Sequence, residues 1–118
     1  MSKAAIIILA AGDAPESLGR VVNAFMAAHE FKQAGDEVRI LFDGAGVQAA
    51  VAFAKKDHKY HELFQRVSDK IVGACEYCSG AYEVTDEVKS AGLQLIDEFK
   101  GHPSFRSLVN EGFTLLTF

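Results

Sequence analysis

Residues 4–9, Ala4-Ala5-Ile6-Ile7-Ile8-Leu9, form a continuously apolar, β-branched run. A strand that is wet on one side alternates polar with apolar residues, so a run without polar positions reads as a strand covered on both faces, as in a parallel sheet. Gly12-Asp13-Ala14-Pro15 breaks the run, and its proline suits the first turn of a helix. Leu18, Val21, Val22, Phe25, Met26 and His29 then recur at three- and four-residue steps, which predicts a helix with that face inward, ended by Gly35.

The same strand-then-helix order continues down the chain. Glu37-Val38-Arg39-Ile40-Leu41-Phe42 reads as strand two, and Asp43-Gly44-Ala45-Gly46 follows at once. Val47 to Ala54 predicts a short helix, residues 55–60 a polar break, and His61 to Val67 a second short helix with Leu63, Phe64 and Val67 inward. Lys70 to Ala74 is strand three, ending near Cys75, and Cys75 to Tyr82 has the length of a short helix. Thr85 is placed to cap another through Ala91. Leu93 to Ile96 is a brief fourth strand. Pro103 opens a last helix with Phe105, Leu108 and Val109 as its apolar side, and Phe113 to Phe118 reads as strand five. Strands alternating with helices imply a parallel sheet with right-handed crossovers and helices on both faces.

The 118 residues form one domain, 1–118, with no internal repeat or linker. With 49% hydrophobic and 24% charged residues the chain is suited to a packed core, and its net charge of −4 argues against nucleic acid and acidic membrane surfaces as partners. The N-terminal apolar run covers only about eight residues, well short of a bilayer span, and ends in Gly12-Asp13 rather than a cleavage-site pattern. The expected compartment is therefore the cytoplasm, where thiols stay reduced.

In open parallel sheets ligands gather beyond the carboxyl ends of the strands. Three loops meet that description: Gly12 to Glu16, Asp43 to Gly46, and Cys75 to Gly80. They supply Gly12, Asp13, Asp43, Gly44 and Gly46 as candidate ligand-binding residues and Cys75 and Cys78 as candidate catalytic ones. Cys75 stands where strand three hands over to a helix, beside Glu76 and with Glu83 further on; its alternative reading is a buried small hydrophobe. Cys78 lies one helical turn beyond. No second CxxC and no nearby His-x-x-His accompanies the pair, so no metal centre is expected there. The glycines form neither GxGxxG nor GxxxxGKS/T, so no nucleotide cofactor is expected and tight turns are their simpler role. His58 and His61, with Asp57 and Glu62, have metal-ligand spacing but read more simply as a solvated connection.

Several stretches together resemble the DsrE/DsrF-like proteins, small sulfur-relay subunits and their relatives. They are the apolar first strand with its glycine turn, Ile40-Leu41-Phe42-Asp43-Gly44-Ala45-Gly46-Val47, Ala74-Cys75-Glu76-Tyr77-Cys78, and the closing Glu111 to Phe118. The resemblance covers essentially the whole chain. It implies a five-stranded parallel sheet in a three-layer α/β/α sandwich, assembly into homo- or hetero-oligomers, and a sulfur-carrier protein as partner. In sulfur-relay members a cysteine after strand three accepts a persulfide sulfur, and the matching position is Cys75, with Cys78 as an auxiliary or resolving thiol. The sequence departs from the family at Tyr82-Glu83, where an Arg-Gly pair is common. The resemblance thus implies a carrier of persulfide sulfur rather than a turnover enzyme. The alternatives are a non-catalytic oligomeric scaffold or small-ligand binding module, and dithiol redox chemistry through Cys75 and Cys78.

Overall fold

A computed structural model describes residues 1–118. Five strands, β1 (Lys3–Ile8), β2 (Glu37–Phe42), β3 (Ile71–Cys75), β4 (Leu95–Ile96) and β5 (Thr114–Thr117), form one parallel sheet in the order β4-β3-β2-β1-β5. Between them lie α1 (Pro15–Gln33), α2 (Gly46–Phe53), α3 (His61–Val67), α4 (Glu76–Ala81), α5 (Thr85–Ser90) and α6 (Phe105–Asn110).

The strand order dictates how the helices divide between the faces. From β1 to β4 the chain always steps toward the same edge, so right-handed crossovers put α1 to α5 on one face. The last step, from β4 across to β5, runs the other way and carries α6 to the opposite face. The core divides accordingly. Ala4, Ile6, Ile8, Val38, Ile40, Phe42 and Ala74 pack with residues of the first five helices, whereas Ala5, Ile7 and Leu41 pack with Leu108 of α6 and Phe113. Alternate residues of one apolar run thus serve both layers, which explains why β1 lacks polar positions.

Phe25 of α1 is the hub of the larger layer, with Phe42, Phe53 and Phe64 edge-on at ring-centroid distances of 6.2, 5.4 and 5.9 Å. Gly46, the first residue of α2, lets that helix press onto the end of β1: a Cβ there would stand 1.9 Å from the Ile8 carbonyl oxygen.

Several sequence expectations need correction. Met26 is exposed, and Ala24 and Ala28 take the buried positions of α1 instead, because small side chains let the helix sit close to the sheet. Lys70 belongs to a 3₁₀ turn, Ser68–Lys70, that precedes β3. Val84, not Thr85, occupies the cap of α5. Pro103 lies before the cap of α6, which is Ser104, whose Oγ accepts the Ser107 N–H at 3.1 Å. Of the apolar side expected for α6, only Leu108 is buried; Val109 is exposed.

Candidate functional site

The end of β3 delivers Cys75 to the first turn of α4. Its sulfur accepts the Cys78 N–H at 3.3 Å, and its carbonyl accepts the Ser79 hydroxyl at 2.7 Å, so the strand-to-helix turn is closed by its own residues. β2 ends one strand over. There Asp43 turns its Oδ1 onto the Gly44 N–H at 2.8 Å, and the same oxygen accepts the Cys78 thiol at 3.3 Å. The CxxC spacing therefore sends one sulfur toward the β2 loop and leaves the other at the β4 side.

The β4 side supplies a residue outside the three loops considered from sequence. Cys75 pairs in register with Ile96, so the chain leaving β4 emerges beside the Cys75 sulfur. It folds back immediately: Phe99 and His102 form an antiparallel bridge, and between them Lys100 and Gly101 have φ of +51° and +86°. Two successive left-handed residues make the tightest reversal compatible with extended arms, and glycine at the second position removes the Cβ cost. The Gly101 N–H donates to Asp97 Oδ1 at 2.7 Å, and the Gly101 carbonyl accepts the Tyr77 N–H of α4 at 2.9 Å. Pinned in this way, the reversal holds His102 Nδ1 3.3 Å from Cys75 Sγ, with the imidazole tilted against Tyr77.

Cys75 is completely buried, and Cys78 is 9% exposed. Burial pushes the Cys75 thiol up from 9.0 to about 12. The Cys78 N–H opposes this, and the nearby Asp43 carboxylate adds to it. At neutral pH the unliganded sulfur therefore carries its proton. Two acceptors compete for it: His102 Nδ1, in the tautomer protonated at Nε2, and the Gly101 carbonyl at 3.5 Å. Glu76 and Glu83, the acidic neighbours in sequence, are solvent-exposed, and the carboxylate that reaches the sulfurs is Asp43.

One oxygen of Asp43, the two sulfurs and one nitrogen of His102 all lie within 4.8 Å of one another. The cysteine pair alone gave no reason to expect a ligand set. Its two further donors come from positions 35 residues before Cys78 and 27 after Cys75. A signal for His102 was nevertheless available: in a parallel sheet the loop after β4 opens on the same edge as those after β1, β2 and β3.

The remaining candidates have other surroundings. Gly12 packs against Phe53 and Val21, and exposed Asp13 meets the Ser17 hydroxyl near the start of α1, so neither joins the cysteine cluster. Gly44 shapes the Asp43 turn, and Gly46 serves the close approach of α2 to β1. His58 stacks on Phe53 and accepts the Tyr60 N–H at its Nδ1, while His61 Nδ1 bonds the Phe53 carbonyl at 2.9 Å. Both imidazoles are thus engaged in local packing. Burial lowers the His58 pKa below its ordinary value.

A family model described as DsrE/DsrF-like matches residues 3–118. An uncharacterized protein of Methanocaldococcus jannaschii, MJ0733, is 29% identical over 96 residues, which is 81% of this chain and 78% of that protein. A solved structure of a conserved protein of unknown function from Bacteroides thetaiotaomicron, BT1422, superposes with a TM-score of 0.65 at 17% identity. It covers 97% of this chain and 94% of the other, a likeness of fold.

Proposed function

Because the chain belongs to the DsrE/DsrF-like family, we propose that it is a sulfur carrier that holds persulfide sulfur on Cys75, with Cys78 as an auxiliary thiol. The observation that supports this reading is the contact of Cys75 Sγ with His102 Nδ1 at 3.3 Å, a nucleophile beside a base. In the loading step the Cys75 S–H proton passes to His102. The thiolate attacks the terminal sulfur of a donor persulfide, R–S–SH, forming Cys75–S–SH and releasing R–S⁻, which takes the proton back as R–SH. The step exchanges one S–S bond for another and needs no outside oxidant. Because Cys75 is buried, loading includes displacement of its cover. Gly101 and His102 of the 97–104 reversal lie against the Cys75 sulfur, and residues 97–100 of the same reversal are all solvent-exposed.

A second reading, a scaffold or small-ligand module without sulfur chemistry, draws on the complete burial of the same thiol. Intact-mass measurement separates the two. Reduced, metal-free protein is incubated with a small-molecule persulfide. The carrier reading expects a gain of one sulfur atom in the wild type and in Cys78→Ser, and none in Cys75→Ser. Equal labelling of Cys75→Ser, or no labelling of any folded variant, overturns it in favour of the scaffold. The oligomer implied by the family resemblance is checked on the same samples by light scattering, a monomeric mass being the contrary result.

A further inference from the structure

We propose that Asp43, Cys75, Cys78 and His102 constitute a four-coordinate site for a zinc-class divalent cation. The inference stands on four donor atoms and is independent of the sulfur-carrier reading. In a tetrahedral zinc site, metal–sulfur bonds of about 2.3 Å and metal–nitrogen or –oxygen bonds of about 2.0 Å set the donors roughly 3.3–3.8 Å apart. Two edges of the cluster already have that length: Cys75 Sγ to His102 Nδ1 and Cys78 Sγ to Asp43 Oδ1, both 3.3 Å. Every other pair lies within 4.8 Å, so closing the polyhedron requires each remaining edge to shorten by at most about 1–1.5 Å.

The donor types choose the ion. Two thiolates and an imidazole favour zinc over magnesium or calcium, which take oxygen sets. The cation replaces the two thiol protons, which leave to solvent, and the filled site carries two thiolates, one carboxylate and one neutral imidazole. Supporting hydrogen bonds are in place: the Cys78 N–H reaches the Cys75 sulfur, and the Gly44 N–H holds Asp43 Oδ1. Asp43 and His102 are half-buried, so the cluster is closest to solvent on their side. Four protein ligands leave no open coordination position, so the bound ion stabilises the junction of β2, β3 and β4 and masks both sulfurs. Metal occupancy and sulfur loading at Cys75 exclude one another.

The test titrates the reduced, metal-free 118-residue chain with Co(II), then displaces it with Zn(II). The expected result is one equivalent bound, with the intense ligand-field bands of four-coordinate cobalt and thiolate-to-metal charge transfer, bleached by zinc. His102→Ala and Asp43→Asn, both at half-buried positions and checked for folding by circular dichroism, are expected to weaken zinc binding more than about 100-fold. Failure of the wild type to bind stoichiometric zinc at micromolar concentration overturns the proposal. So does wild-type affinity in both variants, which would mark a two-thiol adventitious site. Sulfur labelling is measured separately on metal-free protein, so zinc binding without labelling removes the carrier reading alone, and labelling without zinc binding removes the metal site alone.

Discussion

Gly46→Ala tests whether the glycines after β2 exist for packing or for a ligand. The added Cβ would lie 1.9 Å from the Ile8 carbonyl oxygen, 2.7 Å from its carbon and 3.3 Å from the Leu9 nitrogen. All three are main-chain atoms, so no side chain can rotate aside. α2 has to retreat by roughly 1.5 Å to restore ordinary contact distances. That motion pulls Val47, Ala49, Ala50 and Phe53 off the sheet, and Phe53 is an edge partner of Phe25. Overpacking in yielding surroundings costs about 1–3 kcal/mol, and an obstructing backbone places this case at about 3 kcal/mol or more. Against a total stability on the order of 6–18 kcal/mol for this length, the melting temperature falls by roughly 10–15 °C. Urea unfolding and calorimetry read the effect, with Gly80→Ala as the control. A Cβ at Gly80 meets nothing within 4 Å, and alanine in a helix favours stability by about 0.5–1 kcal/mol. A Gly46→Ala protein within about 0.5 kcal/mol of wild type would refute the packing argument.

Phe25→Ala removes the ring shared by three edge-on neighbours and is expected to cost about 3–5 kcal/mol by chemical denaturation; a loss below 1.5 would mean that the layer collapses around the cavity. The hydrogen bond from Lys32 Nζ, 2.8 Å from Asp69 Oδ1, holds the Asp69 carboxyl below its ordinary 3.8. A depressed folded pKa contributes stability that is complete above 3.8 and lost as pH falls through the lower folded value. Asp69→Asn should therefore be less stable by about 0.2–1 kcal/mol at neutral pH, and urea titrations should show that gap closing below 3.8; a gap that persists there contradicts the assignment. In native, reduced, metal-free protein at neutral pH, iodoacetamide should alkylate Cys78 before Cys75, which is fully buried and whose thiol is pushed up to about 12. Peptide mapping reads the order, and equal rates would show that the cover over Cys75 opens freely.

The amino-acid sequence was sufficient for the elements and their class, because that information is local. The unbroken apolar run of β1 records burial on two faces, and Glu37 to Phe42 is a strand in the structure with the same bounds as in the sequence. The position of Cys75 at the end of β3 was legible for the same reason. Burial within a helix was less so: Met26 and Val109 fit the apolar period yet face solvent, since the period marks a stripe but not which edge of it a neighbour covers. Of the surroundings of the Cys75 sulfur, only the Cys78 N–H was within local reading. Asp43 comes from the neighbouring strand. His102 is brought in by a left-handed reversal at Lys100-Gly101 and a single main-chain hydrogen bond from Tyr77. Spacing along the chain offered two sulfurs three residues apart, and only the register of β2, β3 and β4 set an imidazole and a carboxylate against them. Parallel strands align the loops that follow them in space while separating them in sequence by a helix each, so the fold rather than the motif composes the site.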